Sequence, residues 1–208
     1  MSDLLTKLSN KYKCDKSDRK HNYTVYYNNF FEKDRHRNFN ILEFGFGEGR
    51  SVKMWLEYFT KAKLFVIDTM KSLPNDNKIL EYVKIKRLEF VSADQIDLPS
   101  FSGIFNKNDF YIIIDDASHV AEDQQYTFGN IFQFVSSGGW YVIEDLKCKR
   151  NPSKRFPVNA DLTLKVFENY NLNGRFSSAV LTEEQNIYLN ALIESVKIYD
   201  KIAFIKKR

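Results

Sequence analysis

Two pairs of acidic residues each follow a short apolar run that is typical of a buried β-strand. The four acids are Asp115, Asp116, Glu144 and Asp145, and His119 lies three residues beyond the first pair. Charged side chains are rare at such positions unless another group pairs with them. We therefore expect these residues to share a ligand or a chemical task.

Strands that are consecutive in sequence and joined by a helix usually lie side by side. The acids after Ile114 and Ile143 should therefore meet at one edge of a sheet. Carboxylates that lie close together raise one another's pKa unless a cation joins them. An all-oxygen cluster favours a hard cation such as magnesium or calcium, and the C-x-x-C and H-E-x-x-H spacings of zinc sites are absent from the sequence.

Structural roles are the alternative for each of these residues taken singly. Asp115 or Ser118 could cap the helix that follows. The second acidic pair could form ion pairs with Lys147 or Lys149, and His119 could be an ordinary residue at the start of a helix. The coincidence of acids and a histidine at two strand ends favours a functional site.

A glycine-rich segment lies between a predicted strand, Asn40–Phe44, and a predicted helix, Ser51–Phe59. It contains Gly45, Gly47 and Gly49, which are three of the eight glycines in the chain. Glycines at this place let the backbone approach a ligand and present amide groups at a helix N-terminus. A tight turn without a ligand is the weaker alternative.

The neighbours of this glycine segment indicate its ligand. A dinucleotide fingerprint, G-x-G-x-x-G, would need a third glycine at position 50, where the chain has Arg50. Glu43 would repel a pyrophosphate but suits a cationic ligand such as S-adenosylmethionine. Asp68 ends the next predicted strand, where a carboxylate suits a ribose diol. Asp94 could accept a hydrogen bond from adenine, although a surface-loop acid is an equally good interpretation.

The pattern along the chain alternates strands and helices. Strands are predicted at Asn40–Phe44, Leu64–Ile67, Leu88–Val91, Tyr111–Ile114, Trp140–Ile143, Val196–Tyr199 and Ile202–Ile205. Helices are predicted at Ser51–Phe59, Asn77–Lys84 and Val120–Val135, after a mostly helical segment, Leu4 to Lys33, that is broken near Asp15–Lys20. Residues 136–139, Ser-Ser-Gly-Gly, are expected to end the third of these helices as a glycine cap.

These elements predict an α/β fold of the Rossmann-like kind. The sheet should be mostly parallel and seven-stranded, with helices on both faces and an antiparallel hairpin at its C-terminal end. Ligands bind such sheets beyond the carboxyl ends of the strands. At 208 residues we expect a single domain, with a helical segment over 1–38 and a ligand-binding core over 39–208.

Composition excludes several classes of protein. Hydrophobic residues are 43% and charged residues 28% of the chain, and no apolar run approaches the roughly 20 residues of a membrane helix. The net charge of +4 is too small for a dedicated nucleic-acid binder. With two cysteines and no apolar leader, we expect a cytoplasmic protein with reduced thiols.

Three motifs give the chain a resemblance to a known family. They are E-F-G-F-G-E-G from Glu43, D-D-A-S-H from Asp115 and E-D-L from Glu144. The chain resembles class I S-adenosylmethionine-dependent methyltransferases and, within them, the metal-dependent sugar O-methyltransferases of the macrocin and mycinamicin type. Their usual D-D-G-S-H has Ala117 in place of glycine here, so that position cannot require a conformation open only to glycine.

The resemblance implies a role for each motif residue. Asp116, Glu144 and Asp145 would bind magnesium, while His119 would be the general base and, with Asp116, form the catalytic group. The cofactor would be S-adenosylmethionine, and its contacts would fall to Glu43, Gly45, Gly47, Gly49, Ser51, Asp68, Asp94, Gln95 and Asp115.

The resemblance further implies methylation of a hydroxyl on a sugar or similar polar molecule, in a surface-polysaccharide or secondary-metabolite pathway. The acceptor could be phosphorylated or nucleotide-linked, because residues 147–155 carry five cations that could attract an anion; a solvated loop is the alternative. The quaternary structure of these enzymes is not carried over to this chain, so a homo-oligomer stays an open alternative. A lid over the cofactor, or simply a surface helix, could be formed by Asp15, Lys16, His21, Tyr23 and Tyr26.

Other functions compete with this one. The missing third glycine at position 50 and the acidic cluster argue against a nicotinamide-dependent oxidoreductase. The modest net charge argues against an RNA methyltransferase. The intact acids and histidine argue against a binding module that has lost its activity. Within methyltransferases, a catechol-like or phosphorylated acceptor would suit the same metal chemistry.

Overall fold

The computed structural model describes residues 2–69, 82, 84–98, 102–147, 156 and 160–208. The α-helices within these residues are α1 (Leu4–Lys11), α2 (Thr24–Phe31), α3 (Arg50–Tyr58), α4 (Ala121–Ile131), α5 (Thr163–Asn173) and α6 (Glu183–Leu192). The strands are β1 (Asn40–Phe44), β2 (Lys63–Asp68), β3 (Leu88–Ser92), β4 (Phe110–Asp115), β5 (Val135–Ile143), β6 (Ile193–Tyr199) and β7 (Ile202–Lys207). Short 3-10 helices lie at Glu32–Asp34, Ser102–Ile104 and Phe132–Phe134.

The described strands belong to a seven-stranded sheet with the order β3-β2-β1-β4-β5-β7-β6. β2 pairs in parallel with β1 and with β3, and β4 pairs in parallel with β5. β7 is antiparallel to both β5 and β6. The predicted Rossmann-like fold, mostly parallel with an antiparallel C-terminal hairpin, is confirmed.

The chain divides into two compact units, Met1–Ser92 and Ala93–Arg208. The first unit holds α1 to α3, β1 to β3 and the 3-10 helix Glu32–Asp34, and the second holds the other elements named above. The expected organisation as one domain, with segments 1–38 and 39–208, stays a prediction.

The core of the first unit is built from aromatic side chains around α3. Trp55 and Tyr58 lie on the buried face of this helix. The Trp55 ring packs edge-on against Tyr27 of α2, with ring centroids 4.9 Å apart. Ring pairs of this kind contribute about 0.5–1.5 kcal/mol beyond the burial of their area. The helical N-terminal segment is therefore part of this unit's core.

The core of the second unit surrounds Phe128 of α4. Its ring centroid lies 4.9 to 5.4 Å from those of Phe132, Tyr141, Phe167 and Phe176. Because Tyr141 belongs to β5, this packing fixes α4 against the strand that carries the second acidic pair. The strand ends and the first turn of α4 are thus positioned by one core.

The predicted helix over Val120–Val135 is too long. α4 ends at Ile131, and β5 already begins at Val135. The expected glycine cap at residues 136–139 is wrong, because these residues form an irregularity in β5, where the register shifts between Phe110 and Ile112 of β4. A Cβ atom at Gly139 would lie 2.7 Å from the carbonyl oxygen of Tyr111. The glycine therefore serves close strand packing.

Most other predicted elements are confirmed to within a residue or two. β1 has its predicted bounds, and the terminal hairpin turns at Asp200-Lys201. α5 and α6 were not predicted. The predicted helix Asn77–Lys84 falls largely outside the described residues. Of the helices in the described ranges, none has the length and hydropathy that a membrane crossing requires.

Candidate active site

The glycine segment of the first unit forms a left-handed turn between β1 and α3. Gly45, Gly47 and Gly49 have φ angles of +95°, +53° and +71°. The turn is tied to the end of β2, because the Phe46 N–H donates to Oδ2 of Asp68 at 2.8 Å. Positive φ angles at these three alternating positions explain why glycine recurs here.

Gly49 also faces a steric limit. A Cβ atom at this position would lie 2.5 Å from the Phe46 ring and 2.6 Å from the Tyr82 hydroxyl. The Tyr82 hydroxyl donates to the Gly49 carbonyl oxygen at 3.2 Å. By contrast, no described atom lies within 4 Å of a Cβ placed at Gly47. Gly49 is thus required for space as well as for conformation.

Glu43 is fully buried at the end of β1. Its carboxylate accepts hydrogen bonds from the Ser51 hydroxyl and from the Trp55 ring nitrogen, both at 3.1 Å. Two residues predicted to contact the cofactor, Glu43 and Ser51, therefore bond to each other. These bonds join the end of β1 to the first turns of α3 and so fix the glycine turn between them.

The second unit brings together three of the predicted residues at the ends of β4 and β5. The parallel register sets Asp115 opposite Ile143, so the residues that follow each strand emerge side by side. Asp116, His119 and Asp145 each offer a ligand atom, and these atoms lie within 4.8 Å of one another. His119 Nδ1 lies 3.4 Å from Asp145 Oδ2. We call these three residues the rim cluster.

Two members of the rim cluster have an unusual backbone. His119 and Asp145 have φ angles of +53° and +54°, although neither is glycine. Left-handed conformations of non-glycine residues persist where the surrounding structure holds them, and they concentrate at functional sites. The left-handed turn at each strand end directs a polar side chain toward the other.

Glu144, the third predicted metal ligand, is not a member of the rim cluster. It is buried, its N–H donates to the Asp115 carbonyl oxygen at 3.0 Å, and its own carbonyl oxygen accepts from Gln124 Nε2 at 2.9 Å. The rim cluster and the predicted ligand set therefore share Asp116 and Asp145. The rim cluster has His119 as its third member, where the predicted set has Glu144.

Asp115 lies beneath the rim, with 1% of its surface exposed. Burial, together with the nearby charges of Asp116 and Asp123, raises the pKa of its carboxyl group to about 8, although a hydrogen bond from Tyr141 opposes the shift. The Tyr141 hydroxyl donates to Asp115 Oδ2 at 3.3 Å. A buried acid with a raised pKa beside other acids is typical of active sites.

Asp94 and Gln95, both predicted to contact the cofactor, differ in their surroundings. Asp94 is exposed and accepts a hydrogen bond from the Ile96 N–H at 3.2 Å, as a turn-forming acid does. Gln95 is buried; it accepts from the Ser118 N–H at 2.9 Å and donates to the Thr127 hydroxyl at 3.0 Å. Gln95 therefore bonds directly to the loop that carries the rim cluster.

The structural roles considered for the acids were to cap α4 and to form ion pairs with nearby lysines, and the structure shows little of either among the residues it describes. Val120 is the N-cap of α4 and no side chain caps it, although the Ser118 hydroxyl accepts from the Val120 N–H at 3.3 Å. Lys147 pairs with Asp200. Residues 148–155, most of the predicted basic loop, lie outside the described residues.

Of the predicted lid residues, Lys16 and Tyr23 are almost fully buried in the first unit. The ring of His21 stacks on that of Tyr23, with centroids 5.2 Å apart. Buried side chains of this kind belong to a packed core, whereas a lid over the cofactor stays a prediction.

Comparison with known proteins gives these sites a context. No family model matches the chain. Over 150 residues the chain is 33% identical to 8-demethyl-8-(2-methoxy-alpha-L-rhamnosyl)-tetracenomycin-C 3'-O-methyltransferase of Streptomyces olivaceus and 29% identical to mycinamicin VI 2''-O-methyltransferase of Micromonospora griseorubida. Each match covers 68% of this chain and 36% of the relative.

A solved structure agrees along nearly the whole chain. It is the MycE methyltransferase from the mycinamycin biosynthetic pathway in complex with Mg, SAH and mycinamycin VI, with 25% identity and a TM-score of 0.74. The match covers 98% of this chain and 54% of that one. The chain has the class I methyltransferase fold and is a homologue of these sugar O-methyltransferases. This homologue spans about a third of the length of the curated relatives.

The rim cluster of this methyltransferase homologue fits a hard divalent cation. Two of its three members offer carboxylate oxygens, which magnesium and calcium prefer, and the third offers an imidazole nitrogen. All three lie at the surface or only half-buried, so an ion could reach them. The chemistry of the donors therefore suits the Mg named with the solved relative.

Sequence reasoning missed the residues that support these sites. Tyr141, Gln124 and Thr127 bond to Asp115, Glu144 and Gln95 respectively. The one signal available was Tyr141, a hydroxyl-bearing residue inside the otherwise apolar predicted strand Trp140–Ile143. Gln124 and Thr127 lie within a helix, where polar residues are ordinary, so nothing in the sequence marked them.

Proposed function

We propose that the chain is an S-adenosylmethionine-dependent O-methyltransferase that acts, with a divalent metal, on a hydroxyl group of a sugar. The observation that carries this proposal is the rim cluster, two carboxylates and a histidine within 4.8 Å at the ends of β4 and β5. The fold and the activities of the named relatives support it.

Asp116, Glu144 and Asp145 are the proposed metal ligands. When bound, the metal would act as a Lewis acid that holds the acceptor hydroxyl and lowers its pKa. The proposed ligand set and the rim cluster differ in one residue, Glu144 or His119, and a Glu144→Gln variant distinguishes between them. Weaker metal binding in Glu144→Gln supports Glu144 as a ligand. Unchanged metal binding in Glu144→Gln, together with weaker metal binding in His119→Ala, would make His119 the third ligand instead.

His119 is the proposed general base. Its side chain is 46% exposed, which lets it reach an acceptor, and Asp145 lies 3.4 Å from its Nδ1. A carboxylate at this distance can orient the imidazole for proton transfer. The strained backbone at His119 is consistent with a position selected for its side chain.

The glycine turn and Asp68 are the proposed binding elements for S-adenosylmethionine, which supplies the electrophilic methyl group. Gly45, Gly47 and Gly49 would let the backbone approach the cofactor. The proposed contacts of Asp68 are ribose hydroxyls. The other proposed contacts are Glu43, Ser51, Asp94, Gln95 and Asp115.

The acceptor is proposed to be a sugar or a similar polar molecule of a surface-polysaccharide or secondary-metabolite pathway. A phosphorylated or nucleotide-linked sugar would suit the five cations of residues 147–155. With two cysteines in 208 residues, the chain suits a reducing compartment, so we propose a cytoplasmic reaction.

A methyl-transfer assay tests the proposed function. The chain is incubated with methyl-labelled S-adenosylmethionine, Mg²⁺ and a panel of nucleotide-linked sugars, with catechol as a non-sugar acceptor. Transfer to a sugar that EDTA abolishes supports the proposal, whereas transfer only to catechol contradicts the sugar assignment. His119→Ala should lower turnover by roughly 10²–10⁴-fold and leave cofactor affinity unchanged; equal turnover would exclude His119 as the base.

A further inference from the structure

Gln95 bridges two parts of the second unit. It lies just after β3, and 5% of its surface is exposed. Its side-chain oxygen accepts from the Ser118 N–H at 2.9 Å, and its side-chain nitrogen donates to the Thr127 hydroxyl at 3.0 Å. Ser118 belongs to the loop between Asp116 and His119, while Thr127 lies in the middle of α4. The amide thus ties the loop of the rim cluster to the helix behind it.

The orientation of this amide is determined by its partners. The Thr127 hydroxyl lies 3.5 Å from the Gln95 backbone carbonyl oxygen and donates its proton there. With that proton used, the hydroxyl can only accept from the Gln95 side chain. The side-chain nitrogen therefore faces Thr127 and the oxygen faces Ser118. The reverse orientation would set a donor against the Ser118 N–H and leave a buried donor unsatisfied.

The loop that Gln95 holds has a conformation that needs support. His119 has a φ angle of +53°, a cost of roughly 1–2 kcal/mol for a residue with a Cβ atom. Hydrogen bonds fix the backbone on both sides of it: the Ser118 N–H bonds to Gln95, and the Val120 N–H bonds to the Ser118 hydroxyl at 3.3 Å. Strained residues persist where such contacts over-determine them.

We propose that Gln95 is a positioning residue: through the Ser118 N–H it holds His119 and Asp116 in place, and Thr127 sets the orientation of its amide. This inference rests on the proposed metal and acceptor chemistry of the rim cluster, and it replaces the proposed contact of Gln95 with the cofactor. Partners that orient catalytic or metal-binding side chains typically change affinity or activity by 10–100-fold when they are removed.

Gln95→Met tests this role, because methionine keeps the length and burial of the side chain and removes its hydrogen bonds to Ser118 and Thr127, together with the one to Asp115. Gln125→Met is the matched control. Gln125 is a buried glutamine of α4 whose amide bonds to the Asp161 carbonyl oxygen and the Ser178 hydroxyl, away from the loop. We expect Gln95→Met to lower kcat by about 10–100-fold with cofactor affinity unchanged, and Gln125→Met to alter stability only.

Thr127 supplies a second pair of variants. Thr127→Val keeps the shape of the side chain but removes the hydroxyl that orients the amide, so it should lower kcat as Gln95→Met does. Thr127→Ser keeps the hydroxyl and should restore wild-type kcat. Equal losses of kcat in Thr127→Val and Thr127→Ser would indicate a packing defect and contradict the orienting role.

Histidine NMR gives a readout that does not depend on activity. The chain has only three histidines, so the imidazole Cε1–H signals can be resolved and assigned with His119→Ala. Gln95→Met should shift or broaden the His119 signal alone, whereas Gln125→Met should leave it in place. An unmoved His119 signal in Gln95→Met, or weaker cofactor binding with unchanged kcat, overturns the proposal. Failure of the wild-type chain to bind S-adenosylmethionine would instead refute the proposed function.

Discussion

The glycine turn after β1 and the rim cluster after β4 and β5 use the same backbone conformation with different residues. The turn reaches positive φ at Gly45, Gly47 and Gly49, whereas the rim reaches it at His119 and Asp145. Glycine adopts this conformation freely, but a residue with a Cβ atom does so at a cost of roughly 1–2 kcal/mol. Glycine occupies the left-handed positions at which only the backbone is needed to form the turn. Residues with side chains occupy such positions, at the cost of strain, where the side chain itself belongs to the site.

The two regions also differ in how their acids are satisfied. In the first unit, Glu43 accepts two hydrogen bonds and Asp68 accepts one from the turn itself. In the second unit, burial raises the pKa of Asp115 to about 8, and both carboxylate oxygens of Glu122 are buried without a hydrogen-bond partner among the described residues. The glycine turn is internally stabilised, while the region around the rim holds unfavourable electrostatic energy.

Gly49→Ala should give the largest change in stability. It adds left-handed strain of roughly 1–2 kcal/mol and a clash with Phe46 and Tyr82 that overpacks the site by about 1–3 kcal/mol. We expect the free energy of unfolding, measured by urea titration, to fall by about 3 kcal/mol. Gly47→Ala, which meets strain alone, should lose about 1 kcal/mol. Equal losses in the two variants would contradict the steric role of Gly49.

Glu122→Met should stabilise the chain. Methionine has similar length and needs no hydrogen bond, so the penalty of an unsatisfied buried carboxylate disappears. We expect the free energy of unfolding to rise by about 1–2 kcal/mol. Glu168→Met, at an exposed position of α5, should change it by less than about 0.5 kcal/mol. A clear loss of stability in Glu122→Met would mean that its carboxylate is held favourably.

His119→Gly should give the smallest effect and the sharpest contrast with the glycine turn. Relief of left-handed strain is partly offset by the greater entropy of glycine in the unfolded chain, so a gain of about 0.5 kcal/mol is expected in EDTA. The same substitution at His36, whose φ is not positive, should lower the free energy of unfolding. If both variants lose stability equally in urea titrations, the strain at His119 is not significant.

The sequence predicted the framework well because strands and their ends have local signals. β1 matches its predicted bounds, and the adjacency of β4 and β5 follows from the rule for parallel units. The helices α5 and α6 escaped prediction because Leu172 and Ile187 lie exposed on them and obscure the apolar periodicity. The capping box of Thr182 and Gln185 was a readable signal for the start of α6.

The site was predicted only as far as single residues reveal their chemistry. The acids and His119 were recognisable by type and position. Their grouping depends on left-handed backbone at positions 119 and 145, and neither position has the glycine that would have indicated it. The glycines at 138 and 139 were mistaken for a helix cap because a strand irregularity needs glycine for a similar reason. The hydrogen bond between residues as distant in sequence as Gln95 and Ser118 has no sequence signal.

The most direct test of the central claim is a calorimetric titration of Mg²⁺ into the chain saturated with S-adenosylmethionine. We expect one metal site per chain in the wild type and its loss in Asp116→Asn. Lys206 pairs with Glu194 on the surface of the hairpin, so Glu194→Gln is a control that should bind Mg²⁺ as the wild type does. Equal Mg²⁺ binding by the wild type and Asp116→Asn, or no binding by either, would contradict the claim that the rim cluster is a metal site.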